Sequence, residues 1–270
     1  EWNKSSELLA FLRFEETAVK NFTFQWFTND YPTLKSYKYP RSGGDNSHIS
    51  LMVYDVGNRT TKQMDVAPKN EDFYIPVFYW TNTDDNLAVV RLNRSQNHLN
   101  LLSVNGRSGV SKLIISEKSN TYIDYKNYTK LHFNTDNSFV CLQEKDGYRH
   151  LYLYNANGTL LQQLTSGEWD VTDFYGYDET TKTVYYQSAA SSPLCRQIEK
   201  CDTKGKRTVL SGTEGFNKAV FSSDFNYYIE TFSNTTTPDR VSVKTETGKL
   251  CRTITTNSDL ATKYAQLQVP

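Results

Sequence analysis

Four histidines, four cysteines and one pair of adjacent glutamates are the residues of this chain best equipped to hold a metal or move a proton. His48, His98, His132 and His150 are dispersed in or beside strand-like runs. None has a second ligand at i+2 or i+4 with an acidic partner nearby, so they read as structural histidines. Cys141, Cys195, Cys201 and Cys251 lack the C-x-x-C spacing of a zinc or thioredoxin-like site and read as buried or half-buried free thiols. Cys195 and Cys201 share one extended run, where about 3.3 Å per residue puts them roughly 20 Å apart, beyond disulfide reach.

Glu15 and Glu16, in RFEET, could hold a substrate ammonium by charge-assisted hydrogen bonds, but as the end of a strand they read as solvated. Gly106-Arg107-Ser108-Gly109 lacks the spacing of a nucleophile elbow and reads as a hairpin turn. A glycine-rich phosphate loop, an H-E-x-x-H motif and a D-x-D-x-D-G loop are all missing from the sequence, so no cofactor and no metal is expected. Asn-x-Ser/Thr strings such as those at Asn21, Asn58 and Asn127 arise by chance in a chain this rich in Asn and Thr.

Positioning any of these groups falls to β-structure. Lys+Arg and Asp+Glu balance at 30 each, which gives nucleic acid and anionic membranes nothing to attract. The longest apolar runs, Leu8 to Leu12 and Ala88 to Leu92, are strand-sized, so no membrane span is expected. With 19 Tyr and 14 Phe against 2 Met, and Val, Ile and Thr plentiful, the composition suits half-buried pleated surfaces. The chain opens on Glu1 already feeding a strand and is expected to be a piece of something longer.

The phrases TNTDDNLAVVRL, NTDNSFVCLQ, DETTKTVYYQ and SSDFNYYIET each set a polar turn before an apolar-aromatic run. Aligned on Asp85, Asn137, Lys182 and Asn226, they step by 52, 45 and 44 residues. A period of this size with four short strands per unit is the signature of an all-β fold of the β-propeller type. The units run approximately 1–66, 67–120, 121–168, 169–212 and 213–257, about five four-stranded blades, and 258–270 is a tail with a short helical spacing around Asp259 to Gln268. In the third unit Asp146-Gly147 and Asn157-Gly158 are expected to supply the positive-φ residues of two hairpins. A seven-stranded β-sandwich would leave the repeat unexplained.

The order of phrases LLAFLRFEETAVKNFTF, YPTLKSYKYPRSGGDNSHISLMVYDV and DGYRHLYLYNANGTLLQQLTSGEWDV resembles the N-terminal β-propeller region of dipeptidyl peptidase IV-type prolyl peptidases, serine peptidases of the prolyl oligopeptidase kind. The resemblance covers essentially the whole chain. It implies part of an eight-bladed propeller, a substrate-gating wall before an α/β-hydrolase domain absent from this chain, and a periplasmic or extracellular location. On that reading the Ser, Asp and His of the triad lie outside the chain, which alone is no enzyme; the parent would remove Xaa-Pro or Xaa-Ala dipeptides from peptide N-termini. The family's amine-binding glutamates would fall upstream of Glu1, and Glu15-Glu16 matches a different acidic pair. A family loop of the form Trp-x-x-x-Arg-Phe-Arg projects toward the substrate. The run from Tyr122 to Lys126 matches it, making Tyr125 and Lys126 the expected substrate-facing residues, with Tyr122 in place of the tryptophan and Lys126 in place of the final arginine.

Two other functions fit a propeller. A free-standing binding scaffold for protein or glycan needs no hydrolase. A five-bladed glycoside hydrolase needs carboxylates on its innermost strands, and FYIPVFYW, KLHFN and KAVFSS carry none. Cut blade faces lead us to expect self-association as a homo-oligomer.

Overall fold

A computed structural model describes residues 1–69, 71–212 and 214–267. The end of the tail, 268–270, lies outside the described residues, as does Thr213 at the start of the fifth unit. The chain divides into two compact units, Glu1–Thr129 and Lys130–Pro270.

In the first unit β1 (Leu8–Glu15) runs into a separate hairpin, β2 (Asn21–Trp26) and β3 (Thr33–Lys38). The chain then returns as β4 (His48–Asp55) and β5 (Thr60–Gln63), giving a three-stranded sheet of order β1-β4-β5. The first repeat is therefore not the four-stranded blade expected from the sequence. Residues 21–38 form a ribbon that joins no other sheet, so β1 pairs across the insertion, Leu8 with Asp55 through to Glu15 with His48. The second sheet has β6 (Phe73–Trp80), β7 (Asn86–Asn93), β8 (His98–Asn105) and β9 (Ser111–Lys118) in chain order.

The second unit repeats this plan three times. Its sheets are β10 (His132–Phe133), β11 (Phe139–Glu144), β12 (Arg149–Tyr154) and β13 (Leu160–Gln163); β14 (Val171–Asp178), β15 (Thr183–Ser188), β16 (Gln197–Asp202) and β17 (Arg207–Val209); and β18 (Phe216–Phe221), β19 (Tyr227–Ser233), β20 (Arg240–Thr245) and β21 (Leu250–Thr255). Within these sheets the strands pair antiparallel and every four-stranded order is sequential, the arrangement of β-propeller blades. The tail forms a helix, α1 (Ser258–Ala265). No helix among the described residues is long and apolar enough to cross a membrane.

The local sequence explains these elements. The second strands β7, β11 and β15 are buried on both faces and carry continuous apolar runs, such as Leu87-Ala88-Val89-Val90 and Val184-Tyr185-Tyr186, whereas β19 of the last sheet alternates buried and exposed. Fourth strands lie at the outer rim and are mostly polar or exposed, as in Leu160–Gln163. Sheets pack face to face: Leu8, Leu51 and Val53 meet Ile75, Leu87 and Val89 in the first unit. In the second unit Val140 and Leu151 meet Val171 and Tyr186, and Tyr185 and Ile198 meet Ala219 and Tyr228. Truncating a fully buried leucine such as Leu87 to alanine costs about 2–5 kcal/mol in cores of this kind.

Turns repeat as well. Asn137, Lys182 and Phe225 all take positive φ between the first and second strands of their sheets. Between third and fourth strands, Asn155 Oδ1 accepts from the N–H groups of Asn157 and Thr159 with Gly158 at φ 84°. Asp202 does the same for Lys204 and Lys206 with Gly205 at φ 80°. In the two glycine pairs of the third repeat only the glycines, Gly147 and Gly158, are left-handed; Asp146 and Asn157 are not.

Candidate functional site

The expected substrate-facing residues lie in the first unit, on the segment that leaves β9. Ile123 is buried and its N–H donates to Gln96 O at 2.8 Å, which ties the segment to the β7–β8 turn. Asp124 then caps a 3-10 turn over Tyr125–Tyr128 by accepting from the Lys126 N–H at 3.0 Å. Tyr128, fully buried, donates from its hydroxyl to Glu117 Oε2 at 2.7 Å. The Tyr79 hydroxyl donates to the carbonyls of Tyr128 and Thr129, and burial pushes its pKa up to about 12. Ile123, Asn127 and Tyr128 are buried and anchor the segment, whereas Asp124 and Lys126 are exposed, Tyr125 is half-buried and Tyr122 just before is 78% exposed. The segment is thus pinned at Ile123 and Tyr128, with the Tyr122 and Lys126 side chains open to solvent. The sequence did not signal the 3-10 turn, though Asp124 two residues before Lys126 is its mark.

The other residues with chemical potential are held in structural roles. Glu15 accepts from the hydroxyl and the N–H of Thr17, which holds its carboxyl below the usual range, and Glu16 accepts from Ser47 Oγ at 3.2 Å. His150 is buried, bonded to Thr165 Oγ1 at 3.1 Å and Gly167 O at 2.9 Å. His98 Nε2 contacts Ser116 Oγ at 3.1 Å. Arg107, in the expected turn between β8 and β9, reaches Glu7 (2.6 Å), Asp85 (2.9 Å) and Asp55 (3.3 Å). The four cysteines are free thiols; Cys141 and Cys201 are buried and Cys195 half-buried, but Cys251 is exposed because β21 is a rim strand. Cys195 sits in the turn before β16 rather than in one run with Cys201. Among the described residues, no group of three or more His, Cys, Asp or Glu is placed to hold a metal ion.

A second surface of the first unit was not foreseen. Phe22, Phe24, Trp26, Tyr37 and Tyr39 form a continuous ladder on the β2–β3 hairpin, with ring centroids 5.1–6.5 Å apart. Lys35 lies over Trp26 at 4.5 Å and Arg41 over Phe22 at 5.9 Å.

The arrangement of sheets has counterparts of known identity. A family model described as the dipeptidyl peptidase IV (DPP IV) N-terminal region matches residues 1–239. The chain belongs to this family. Curated relatives of this DPP IV N-terminal region include a probable dipeptidyl peptidase 4 of Emericella nidulans, 29% identical over all of the chain and 37% of the relative. The inactive dipeptidyl peptidase 10 of Mus musculus is 29% identical over 86% of the chain and 30% of the relative. Among solved structures, Porphyromonas gingivalis dipeptidyl peptidase 4 superposes with a TM-score of 0.90 at 40% identity, covering 97% of the chain and 37% of that structure. A putative dipeptidyl aminopeptidase IV from Bacteroides ovatus, at 20% identity and a TM-score of 0.81, shares the fold. The chain thus spans less than two-fifths of the length of these relatives.

Proposed function

We propose that this DPP IV N-terminal region is a non-catalytic wall of a dipeptidyl peptidase, gating peptide access to a serine nucleophile carried elsewhere in a parent that removes Xaa-Pro or Xaa-Ala dipeptides. The match to the family model over residues 1–239 carries this reading. On it, the Tyr122–Lys126 segment faces the peptide: Tyr125 offers a ring and hydroxyl, and Lys126 a point charge without the planar fork of a guanidinium. The protein then works outside the cytoplasm, in the periplasm or beyond the cell. Cell fractionation tests that location.

The deciding experiment compares this chain with the product of the uncut gene for release of a chromophore from a glycyl-prolyl substrate, with and without a serine-directed inhibitor. Inhibitor-sensitive turnover in the long form alone is the expected result; silence in both sinks the reading.

The aromatic ladder of the β2–β3 hairpin favours a second reading, a free-standing binding propeller. Exposed aromatic patches carrying cations are typical of protein interfaces. On either reading Val220 (69% exposed) and Ile229 (42%), on the last sheet, leave apolar surface that drives self-association. A single monomeric mass in light scattering at all concentrations counts against that.

A further inference from the structure

In the second unit the first strands of three successive sheets, β10, β14 and β18, border one open cleft of about 400 Å³. β14 is doubly irregular: its register with β15 shifts between Val171 and Asp173 and again between Phe174 and Gly176, so Tyr175 has no partner residue across the ladder. Bulges of this kind re-aim a side chain away from its strand. The re-aimed Tyr175 hydroxyl oxygen accepts from the Ala219 N–H at 3.1 Å. This bond fixes the phenol against β18 and leaves its O–H as a donor, since accepting uses only a lone pair. Burial raises the Tyr175 pKa far above neutrality, so the donor proton stays in place.

Charge at the cleft is cancelled locally. Lys130 is paired with Asp173 at 2.5 Å, and burial holds His132 below the ordinary histidine value, so the ring is neutral near pH 7. Leu131 lies half-buried between these two side chains in sequence, and Ala219 opposite offers only a methyl group. The remaining surface is one oriented hydroxyl donor with small apolar and aromatic neighbours and no unpaired ion.

We propose that this cleft holds an uncharged, extended stretch of peptide, with a backbone carbonyl accepting from the Tyr175 hydroxyl and apolar side chains beside Leu131 and Ala219. The ligand class rests on the peptide-gating reading; the site and its selectivity against charge go beyond it. The test is fluorescence anisotropy of the chain with three labelled ten-residue peptides, identical except that the central positions are leucine, lysine or glutamate. The leucine peptide binds about fivefold or more tighter than either charged one, the effect of stranding one ion in a neutral cleft. Leu131→Asp moves the preference to the lysine peptide and Leu131→Lys to the glutamate peptide, while Tyr175→Phe weakens the leucine peptide severalfold. Equal binding of all three peptides, or an order unmoved by the two Leu131 variants, overturns the proposal. A parent without peptidase activity sinks the gating reading and leaves this binding result standing. An active parent whose propeller chain ignores the peptides sinks the cleft alone.

Discussion

The ring of Phe225 occupies the space that a side chain at Gly176 would need. A Cβ built on Gly176 comes within 2.6 Å of Phe225 Cζ, and Gly176 itself holds φ +150°. Phe225 cannot easily give way, because it lies face to face with Tyr185 at 4.6 Å and 8°.

Gly176→Ala therefore combines a backbone conformation that only glycine accepts with overpacking of a fixed ring. It is expected to lower stability by roughly 2–4 kcal/mol, read as a fall in the urea midpoint without a change in slope.

Glu199 is fully buried, accepting from Arg207 Nε (2.8 Å) and Nη2 (3.0 Å), Tyr186 (3.0 Å) and Ser188 (2.6 Å). Arg207→Met strands that carboxylate, though Tyr186 and Ser188 remain, and is expected to cost roughly 2–4 kcal/mol. The Glu199→Gln, Arg207→Met double variant should cost less than the sum of the single ones, because it removes the stranded charge. Strict additivity in denaturant titrations would refute the coupling.

His132 is held neutral by burial, with Glu179 opposing that shift only in part. Its folded pKa lies below the unfolded value near 6.5. As pH falls below about 6.5 the unfolded chain takes up the proton before the folded one does, so His132's contribution is present above that pH and is lost as acid is added. Replacement by glutamine should narrow the gap between urea midpoints measured at pH 7.5 and 5.5, a gap that an unchanged variant would leave to other groups.

The thiols should label in an order set by exposure. Cys251 reacts first with a maleimide and Cys195 more slowly, while Cys141 and Cys201 react only on unfolding. Burial pushes the Cys201 thiol up to about 11, which suppresses its thiolate as well as its access. Mass spectrometry after brief labelling decides it, and early modification of Cys201 would contradict the packing.

Much of this fold was legible because the second strands carry short apolar-aromatic runs and the turns before them are polar. The residues aligned as strand heralds, Asp85, Lys182 and Asn226, do stand directly before β7, β15 and β19, and Asn137 stands two residues before β11. The β2–β3 ribbon escaped because alternation in NFTFQW shows that one face is aromatic but not what, if anything, covers it. Cys251 escaped for a similar reason: being in a strand does not tell whether that strand lies inside or at the rim. Tyr125 and Lys126 were singled out through resemblance alone, since the buried residues that hold their segment, Ile123 and Tyr128, look like any other apolar residues in the string.

The sequential order of the four-stranded sheets has a consequence for biogenesis. Each such sheet is closed by its own fourth strand, so its hydrogen bonds can all form once some 32 to 46 consecutive residues have cleared the ribosome, with little long-range search. The first sheet differs. β1 must wait through the whole aromatic hairpin until His48–Asp55 has emerged, so a translational pause or a truncation between 38 and 48 would leave a bare apolar strand edge beside an aromatic ribbon. That nascent stage is where a holding chaperone has the most to cover.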